Sequence, residues 1–242
     1  MRYAIFADVH SNLEAIDAVE NTLKGEKIDE CLCLGDIVGY GANPGECIDK
    51  VRRLASIIIA GNHDWAVAGK FDIGYFNIHA KKAALWTGQN ITKEEKNFLS
   101  HLPLIYETQL FTLAHGALIH PEDFGYVLDR VVAGENMQIQ KTPFCFIGHS
   151  HIPKIYTIPE EDLVLEEKSR EIIAAGENKY LINVGSVGQP RDGDPRAAYC
   201  IFDTDKKSIS IKRVEYDATK ACNKILAAGL PQILAYRLLE GK

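Results

Sequence analysis

The chain has 242 residues, of which 46% are hydrophobic and 25% are charged, and its formal net charge at pH 7 is -6. This composition is typical of a globular protein with room for one large domain or two small ones. The acidic balance excludes a protein that coats nucleic acid, because binding the phosphate backbone needs a clustered basic face, but it permits one small phosphorylated substrate in a locally positive pocket.

The first half of the chain alternates between apolar runs and amphipathic segments. The spacing predicts strands over 3–7, 31–34 and 56–60, and helices over 12–24 and 44–54. Proline at the start of the second helix costs no hydrogen bond there. Short connections between alternating strands and helices favour parallel pairing and an α/β architecture.

The second half is richer in strands. Residues 75–101 are predicted to be helical in two pieces, with a break near Thr92, where "TKEE" forms a capping box. The polar stretch 159–179 is interpreted as an excursion between strands. Without a linker, repeat or low-complexity block, residues 1–242 are expected to form a single domain. Further strands are predicted over 105–108, 110–114, 144–147, 154–158, 180–183, 197–202 and 208–214, and further helical pieces over 122–141 and 217–239.

Cysteine usage and hydropathy indicate a cytoplasmic protein. No apolar run approaches the roughly 20 residues of a membrane span, and the N-terminal stretch enters a strand without a cleavage site. Most of the six cysteines lie in apolar runs and none forms a Cys-x-x-Cys pair, which favours reduced core thiols. Cys31 and Cys33 share one strand face with the spacing of packing residues.

Five apolar runs are each followed at once by residues with metal-binding side chains. In open α/β sheets the crevice outside the carboxyl ends of the strands is where ligands bind, so these residues are expected to build one cluster. The runs and their followers are "YAIFA" before Asp8-Val9-His10, "CLCL" before Gly35-Asp36, "IIIA" before Gly61-Asn62-His63-Asp64, "FTLA" before His115-Gly116, and "FCFI" before Gly148-His149-Ser150-His151.

Each of these blocks has an ordinary explanation when taken alone. An aspartate after a strand often caps a helix, and Asn62 or Asp64 could be a turn residue. His115 could be a satisfied turn histidine, and a surface loop could hold His149 and His151. Five such coincidences at strand ends, in a chain with only eight histidines, favour a metal site instead.

The ligand types restrict the metal. Carboxylate, amide and imidazole without thiolate exclude a structural cysteine-rich zinc site and suit Mn first, with Fe, Zn, Ni and Co as alternatives. About seven ligating groups are too many for one tetrahedral ion and fit two divalent ions, the arrangement used in phosphoryl transfer. Such a site would stay positive and attract a phosphate anion.

The five blocks together resemble the calcineurin-like metallophosphoesterases, whose blocks are Asp-x-His, Gly-Asp-x-x, Gly-Asn-His-Asp/Glu, a later His, and Gly-His-x-His. All five occur in this order over residues 8–151. The stretch "NVGSVGQPRDGDPRAAY" (183–199) is similar to the closing strands of the small bacterial and archaeal phosphodiesterase branch. The resemblance implies an α/β (α+β) fold, a two-sheet mixed β-sandwich flanked by helices.

The resemblance also implies a role for each block. Asp36 would bridge two ions, and a hydroxide between them would attack phosphorus in line. His63 would not bind metal but would lie over the phosphate, stabilising its charge or protonating the leaving oxygen. The implied ligands are Asp8, His10 and His151 for one ion, and Asn62, His115 and His149 for the other.

This chain departs from part of the family pattern. Gly39 and Tyr40 stand where protein phosphatases and dinucleotide polyphosphatases of the family have the acid and the arginine of Asp-Arg-Gly. The acid normally orients the catalytic histidine, and Asp64 is one candidate to replace it. Candidates to bind substrate phosphate are Arg191, His120 and Asn12, for which a surface salt bridge, a turn or a helix cap are equal alternatives.

The leading expectation is a metal-dependent phosphoesterase that hydrolyses small phosphodiesters or phosphomonoesters, with diesters favoured because Asp-Arg-Gly is absent. A dinucleoside polyphosphate hydrolase, of the diadenosine tetraphosphate type, is the alternative, so the partner is a small phosphorylated molecule with nucleotides included. A non-catalytic metal-binding scaffold is a third reading, which the intact ligand set disfavours. No membrane partner is expected, and the sequence does not indicate the oligomeric state.

Overall fold

The computed structural model describes residues 1–158 and 164–242. Within them, the strands are β1 (Arg2–Phe6), β2 (Glu30–Cys33), β3 (Ile57–Ile58), β4 (Ile105–Glu107), β5 (Phe111–Ala114), β6 (Phe144–Ile147), β7 (Lys154–Ile158), β8 (Leu165–Glu166), β9 (Glu171–Ile173), β10 (Lys179–Asn183), β11 (Ala197–Asp203) and β12 (Ser208–Val214). The helices are α1 (Leu13–Leu23), α2 (Pro44–Leu54), α3 (Asn62–Val67), α4 (Ile78–Asn90), α5 (Lys93–Ser100), α6 (Arg130–Ile139), α7 (Ala218–Ala227) and α8 (Gln232–Glu240).

The strands form two mixed sheets of similar design. One has the order β3-β2-β1-β11-β12-β9 and the other β4-β5-β6-β10-β7-β8. Each contains three neighbouring parallel strands, β3-β2-β1 in the first sheet and β5-β6-β10 in the second. The register places Phe6 opposite Cys33, and Leu113 opposite Phe146, so the parallel strands of each sheet end close to one edge.

The two sheets pack face to face, and helices cover their outer faces. Large side chains such as Phe146 and Phe202, whose ring centroids are 5.2 Å apart, fill the core between the sheets. Alternate residues of β1 and β2, Cys31 and Cys33 among them, pack outward in one core with Ile16 of α1. This two-sheet sandwich flanked by helices confirms the predicted fold class.

Local sequence signals account for several helix starts. Asn12 caps α1 by accepting a hydrogen bond from Ala15 N at 3.1 Å. Thr92 and Glu95 form the predicted capping box of α5, so the break between α4 and α5 is confirmed. Pro44 begins α2, as expected from its missing N–H. No helix in the described ranges is both long and apolar enough to cross a membrane.

Asn62 and Asp64, for which a turn was the alternative to a role in the site, lie in the short helix α3, where the Asp64 carboxylate accepts a hydrogen bond from the Gly61 N–H at 3.1 Å. One prediction about local structure was wrong in part. The polar excursion over 159–179 contains β8 and β9, which add edge strands to opposite sheets. Their side chains are largely exposed, so hydrophobic patterning gave little signal. Residues 159–163 of that prediction lie outside the described residues.

Candidate metal centre

The expected ligands meet at one edge of the sandwich, where the parallel strands of both sheets end. Each follows a parallel strand: Asp8 and His10 after β1, Asp36 after β2, Asn62 after β3, His115 after β5, and His149 and His151 after β6. All are buried although they are polar. Buried charges and imidazoles at this density require partners, which a cation can supply.

The ligand atoms form three overlapping groups. Within each group, one potential metal-binding atom from every residue lies within 4.8 Å of the others. Asp36 belongs to two groups, in the position expected of a bridging carboxylate. The groups are Asp8, His10 and His151; His10, Asp36 and His63; and Asp36, His115 and His149.

Short distances inside the cluster show how closely the groups approach each other. His10 Nε2 lies 3.0 Å from His151 Nε2 and 3.6 Å from Asp36 Oδ2. His115 Nε2 lies 3.3 Å from Asp36 Oδ2 and 3.8 Å from Asp8 Oδ1. The Nε2 atoms and carboxylate oxygens that follow the strands of both sheets therefore point to one common centre.

Backbone carbonyl groups orient three of the imidazole rings. When Nδ1 carries the proton and donates it to a carbonyl, the lone pair of Nε2 faces the centre, as is usual for histidines that bind metal. The Nδ1 contacts are His10 with Val38 O at 3.0 Å, His115 with Leu34 O at 2.7 Å, and His151 with Gln189 O at 2.6 Å.

Several atoms of the cluster have no hydrogen-bond partner among the residues that the structure describes. They are Asp8 Oδ1, Asn62 Oδ1 and His115 Nε2, all buried. Buried polar atoms are nearly always paired, so each unpaired one requires an explanation. All three are good donors to divalent transition metals, and the residues present therefore fit metal ions at this position.

The backbone of the cluster adopts a conformation that is unfavourable for its residues. Five of the expected ligands have positive φ: Asp8 (55°), His10 (48°), Asp36 (52°), His149 (67°) and His151 (61°). Each non-glycine residue in this region costs on the order of 1–3 kcal/mol and persists only where the surroundings enforce it, commonly at functional sites. The strain bends the chain sharply after each strand and turns the side chains inward.

Gly148 allows the ends of β1 and β6 to approach each other. A Cβ at this position would lie 2.6 Å from Ala7 Cβ and 2.8 Å from Asp8 Oδ2. The next residue, His149, donates its backbone N–H to Asp8 Oδ2 at 3.0 Å. The glycine before the His-x-His pair thus makes room for the carboxylate that faces it.

Charges within the cluster perturb each other strongly. Burial alone would raise the pKa of Asp36, but His115 and His63 outweigh it and hold this pKa well below the usual range. Burial would lower the pKa of His115, yet the Asp36 charge raises it to about 9. Burial, together with the charge of Asp36, raises the pKa of Asp8 to about 7. Asp36 and His115, with Oδ2 and Nε2 3.3 Å apart, therefore each favour the charged form of the other.

His63 lies beside the cluster but differs from the other histidines. Its backbone N–H donates to Asp36 Oδ1 at 2.8 Å, while its ring lies between the rings of Tyr40 and Phe76, at centroid distances of 4.4 Å and 4.5 Å. Burial lowers the pKa of His63 to about 4. Its ring is thus held mainly by aromatic contacts.

No acid orients the His63 ring among residues 1–158 and 164–242. Its Nδ1 has no hydrogen-bond partner there, and a Cβ on Gly39 would lie 2.4 Å from this atom. Asp64 accepts instead from the backbone N–H groups of Ile37, Val38 and Gly61, at 2.9, 3.2 and 3.1 Å. Asp64 therefore supports the loop of Asp36 rather than the histidine.

The three candidate substrate residues lie in different surroundings. A cavity of about 90 Å³ opens onto the cluster, and Arg191 lines it together with His63 and Asn62. Asn12 is engaged inside the protein, as the cap of α1 and as a donor to Gly188 O at 2.8 Å. The His120 side chain is 75% exposed and does not line this cavity.

Arg191 is held in place without an acidic partner among the described residues. Its guanidinium donates to Gln189 Oε1, at 2.7 Å from Nη2, and lies 5.7 Å from the centroid of the Tyr40 ring. The backbone N–H of Arg191 donates to His151 O at 3.2 Å. A guanidinium beside the cluster is suited to bind phosphate oxygens.

Sequence reasoning missed several residues that shape the site. Asn183 donates from Nδ2 to Gly148 O at 2.6 Å and to Ser150 Oγ at 2.9 Å, which orders the His-x-His loop. Tyr126 stacks on His149 with a centroid distance of 3.9 Å. Asn183 ends the sixth buried parallel strand, so the strand-end rule applied to 180–183 could have found it. Nothing in the sequence singled out Tyr126.

Comparisons with known proteins show which family and which structures the chain resembles. Residues 1–207 match the family described as the calcineurin-like phosphoesterase superfamily domain. An uncharacterized protein of Methanocaldococcus jannaschii is 44% identical, with 99% of this chain and 98% of the relative covered. A metallophosphoesterase of Sphaerobacter thermophilus, known from its crystal structure, has 37% identity and a TM-score of 0.87, with 100% of this chain and 99% of that chain covered. A hypothetical protein of Pyrococcus horikoshii shares the fold, with 19% identity and a TM-score of 0.81 over 100% of this chain and 98% of that chain.

Proposed function

The chain belongs to the calcineurin-like phosphoesterase superfamily, and on this basis we propose that it is a phosphoesterase that uses two divalent ions to hydrolyse a small phosphodiester or phosphomonoester. The observation that carries the proposal is the set of buried, unpaired ligand atoms of Asp8, Asn62 and His115. Asn62 lines a cavity together with Asp36, Arg191 and His63, and Asp8 and His115 lie behind it, with His115 Nε2 3.3 Å from Asp36 Oδ2. This arrangement combines a metal site with groups suited to a phosphate anion.

The proposed assignment of ligands is the one that the family resemblance implies, and two of the three groups in the structure are compatible with it. Asp8, His10 and His151 would hold one ion, His115, His149 and Asn62 the other, and Asp36 would bridge them. When bound, the ions supply an activated water and positive charge for the phosphoryl oxygens. The carboxylate and amide oxygens of the set suit manganese, which we propose first, and its imidazoles also suit iron, zinc, nickel and cobalt.

The side chains on the open side of the cavity act on the substrate directly. Arg191 would bind a non-bridging phosphate oxygen through its guanidinium. His63, neutral because burial lowers its pKa to about 4, would donate a hydrogen bond to a phosphate oxygen or to the leaving oxygen. Tyr40 and Phe76 would hold the His63 ring and keep water away from it. We favour diesters because Gly39 and Tyr40 replace the acid and arginine typical of the phosphatase branch.

Hydrolysis of bis(p-nitrophenyl) phosphate by the metal-loaded protein tests the proposal. Asp36→Ala should lose both bound metal and activity. His63→Ala should keep its metal but lose about 10²–10⁴-fold in kcat, the usual contribution of such a group. His101→Ala, an exposed histidine at the end of α5, is the matched control. Equal rates for the wild type and both site variants would disprove the assignment.

A dinucleoside polyphosphate hydrolase is the second candidate. Tyr75, whose side chain is 82% exposed, and Tyr126 line the cavity and present ring faces on which a nucleobase could stack. Release of nucleotides from diadenosine tetraphosphate, compared with hydrolysis of bis(p-nitrophenyl) phosphate, separates the two activities. Metal analysis of the purified protein tests the third interpretation, a non-catalytic scaffold. A protein that neither contains metal nor takes it up on incubation would favour that interpretation.

We also propose that residues 1–242 form a single domain in the cytoplasm. One core fills the space between both sheets, which supports one folding unit. All six cysteines are buried free thiols, which fits a reducing compartment. Gel filtration with light scattering measures the oligomeric state, and limited proteolysis that released a stable fragment would contradict the single domain.

A further inference from the structure

A second and larger cavity adjoins the candidate metal centre. It has a volume of about 670 Å³ and lies between the start of α4 and the helix α8. Cavities that bind small organic molecules usually measure about 300–1,000 Å³. The cavity over the metal ligands, at about 90 Å³, falls well below that range. It has room for a phosphoryl group, whereas the rest of an ester must lie outside it.

The two cavities are neighbours that share part of their walls. Tyr40 and Asn77 line both of them. Asn77 caps α4 with its Oδ1, at 3.0 Å from the backbone N of His79 and of Ala80. On the far side of Tyr40, the Arg191 guanidinium lies over the ring. A substituent that is attached to the phosphate and extends past Tyr40 therefore enters the larger cavity, which we name the α8 groove.

The surface of the α8 groove combines apolar patches with positive charge. Ile233 and Tyr236 are 54% and 51% exposed and line it. Lys242, which also lines it, pairs with Glu240 at 2.7 Å. Apolar contact area with a few fixed polar groups is the composition expected of a small-molecule site.

Arg237 is a cation of the groove whose terminal guanidinium nitrogens can bind a ligand. Its Nε donates to the main-chain oxygen of Lys242, while its two Nη groups form no hydrogen bond within residues 1–158 and 164–242. No aspartate or glutamate in those ranges lies within ion-pair distance of Arg237. Burial and the nearby charge of Arg191 lower the pKa of Arg237, so the two guanidinium groups are within electrostatic reach of each other.

We propose that the α8 groove binds the ester substituent of the substrate, and that Arg237 binds a second anionic group carried by that substituent. This inference rests on the proposed function, since it places the scissile phosphate beside Arg191. The substrate class is thus an organic phosphate ester with a partly apolar or flat substituent and a second phosphate or carboxylate. Charge complementarity favours this class. Lys242 and Glu240, which both line the groove, compensate each other, whereas the Nη groups of Arg237 have no aspartate or glutamate partner among the described residues.

The test compares two series of p-nitrophenyl diesters. In both, the second substituent is an alkyl chain of one of three lengths, ending in methyl in one series and in carboxylate in the other. The manganese-loaded wild type should hydrolyse the carboxylate-ended diester of the best length with a kcat/KM about tenfold higher than that of its methyl-ended counterpart, the ratio expected from one charge-assisted hydrogen bond. Arg237→Gln should lose this preference, so that its kcat/KM values for the two series become about equal.

Two further variants make the result specific. Arg237→Lys keeps the charge and should retain part of the preference, and it replaces the glutamine variant if thermal unfolding shows that the latter does not fold. Arg53→Gln, at an exposed arginine of α2, is the matched control and should behave like the wild type. Absence of any preference in the wild type, or an unchanged preference in Arg237→Gln, would overturn the proposal.

A binding measurement separates this proposal from the proposed function. If the wild type hydrolyses neither series, the proposed function fails, and calorimetric titration with a carboxyalkyl phosphate then tests the groove alone. Binding about tenfold weaker in Arg237→Gln than in the wild type supports the groove as a site for the second anion. Equal affinity in the two proteins refutes it.

Discussion

Replacing His149 or His151 by alanine should remove different ions from the centre. His151 Nε2 lies 3.0 Å from His10 Nε2 and 3.5 Å from Asp8 Oδ1, on one side of Asp36. His149 shares its group with His115 and Asp36 on the other side. Although the two histidines are one residue apart in the chain, each variant should leave the other ion with its complete ligand set.

The size of the effect follows from the number of donors. Each ion has four proposed donors, with Asp36 counted for both, so either variant leaves three at one ion and four at the other. Loss of an outer partner of a metal ligand already weakens binding by 10–100-fold. Loss of a direct ligand should weaken the binding of the affected ion by at least about 100-fold. This corresponds to about 2.8 kcal/mol, at 1.4 kcal/mol for each factor of ten.

The assay is metal content by mass spectrometry after gel filtration at micromolar manganese. The wild type should carry two ions and each single variant one. Double variants identify which ion remains: Asp8→Ala with His151→Ala affects a single site and should keep one ion, whereas Asp8→Ala with His149→Ala affects both sites and should keep none. His101→Ala serves as the histidine control with full metal content.

The reasoning is refuted if the two double variants retain equal metal. It is also refuted if either single variant loses both ions while the protein remains folded by circular dichroism. In that case the cluster would act as one cooperative unit rather than as two sites joined by Asp36.

Three other predictions concern the surroundings of the ligands. Gly148→Ala should cost about 1–3 kcal/mol of stability through overpacking, because its Cβ would lie 2.8 Å from Asp8 Oδ2. Thermal unfolding should show a Tm lower by roughly 2–4 °C for each kcal/mol lost. An unchanged Tm would contradict the tight packing at this position. Gly39→Ala, with a Cβ 2.4 Å from His63 Nδ1, should displace the ring and lower kcat by about 10²-fold at full metal content, and an unaltered kcat would exclude a role for ring position. Acidification from pH 8 to pH 6 should weaken manganese binding in calorimetric titrations, because protons on Asp8 (pKa about 7) and His115 (pKa about 9) must leave before metal binds. Each displaced proton lowers the apparent affinity about tenfold for each pH unit below the pKa of its group. An affinity that is constant or rises on acidification would be inconsistent with these shifts.

Short-range patterns in the sequence allowed the α/β alternation and the position of the centre to be predicted, whereas the two-sheet sandwich was what the resemblance to the family implied. Apolar runs of strand length are read directly from the chain, and parallel strands of one sheet present their carboxyl ends at a common edge. The polar residues after β1, β2 and β3 therefore had to lie at one edge, as had those after β5 and β6, and the packing of the two sheets against each other brought the two sets together. The capping signals of Asn12 and Thr92 are equally local and appear in the structure as predicted.

The surroundings of His63 could not be predicted, because they depend on contacts between distant segments. The resemblance to the family led us to look for an acid, with Asp64 as a candidate. In the structure, Asp64 binds backbone N–H groups of residues 37, 38 and 61, and the rings of Tyr40 and Phe76 flank His63. Ring contacts between residues 23 and 13 positions apart leave no periodic trace in the sequence.

The same distinction applies to the substrate candidates. Arg191, His120 and Asn12 were equal choices in the sequence, since each lies near a loop that follows or precedes a predicted element. The structure places only Arg191 in the cavity over the cluster. It also forms the α8 groove from helices that begin more than 150 residues apart, at Ile78 and Gln232.

The sequence by itself determined which residues are proposed as ligands, because side-chain chemistry and strand periodicity are properties of neighbouring residues. Tertiary structure decided what surrounds those residues: which nitrogen faces the centre, which backbone positions are strained, and which cation and which groove adjoin the cluster. These features depend on distances between segments that are far apart in the chain. Only the packing of two sheets and their helices brings such segments within hydrogen-bonding range.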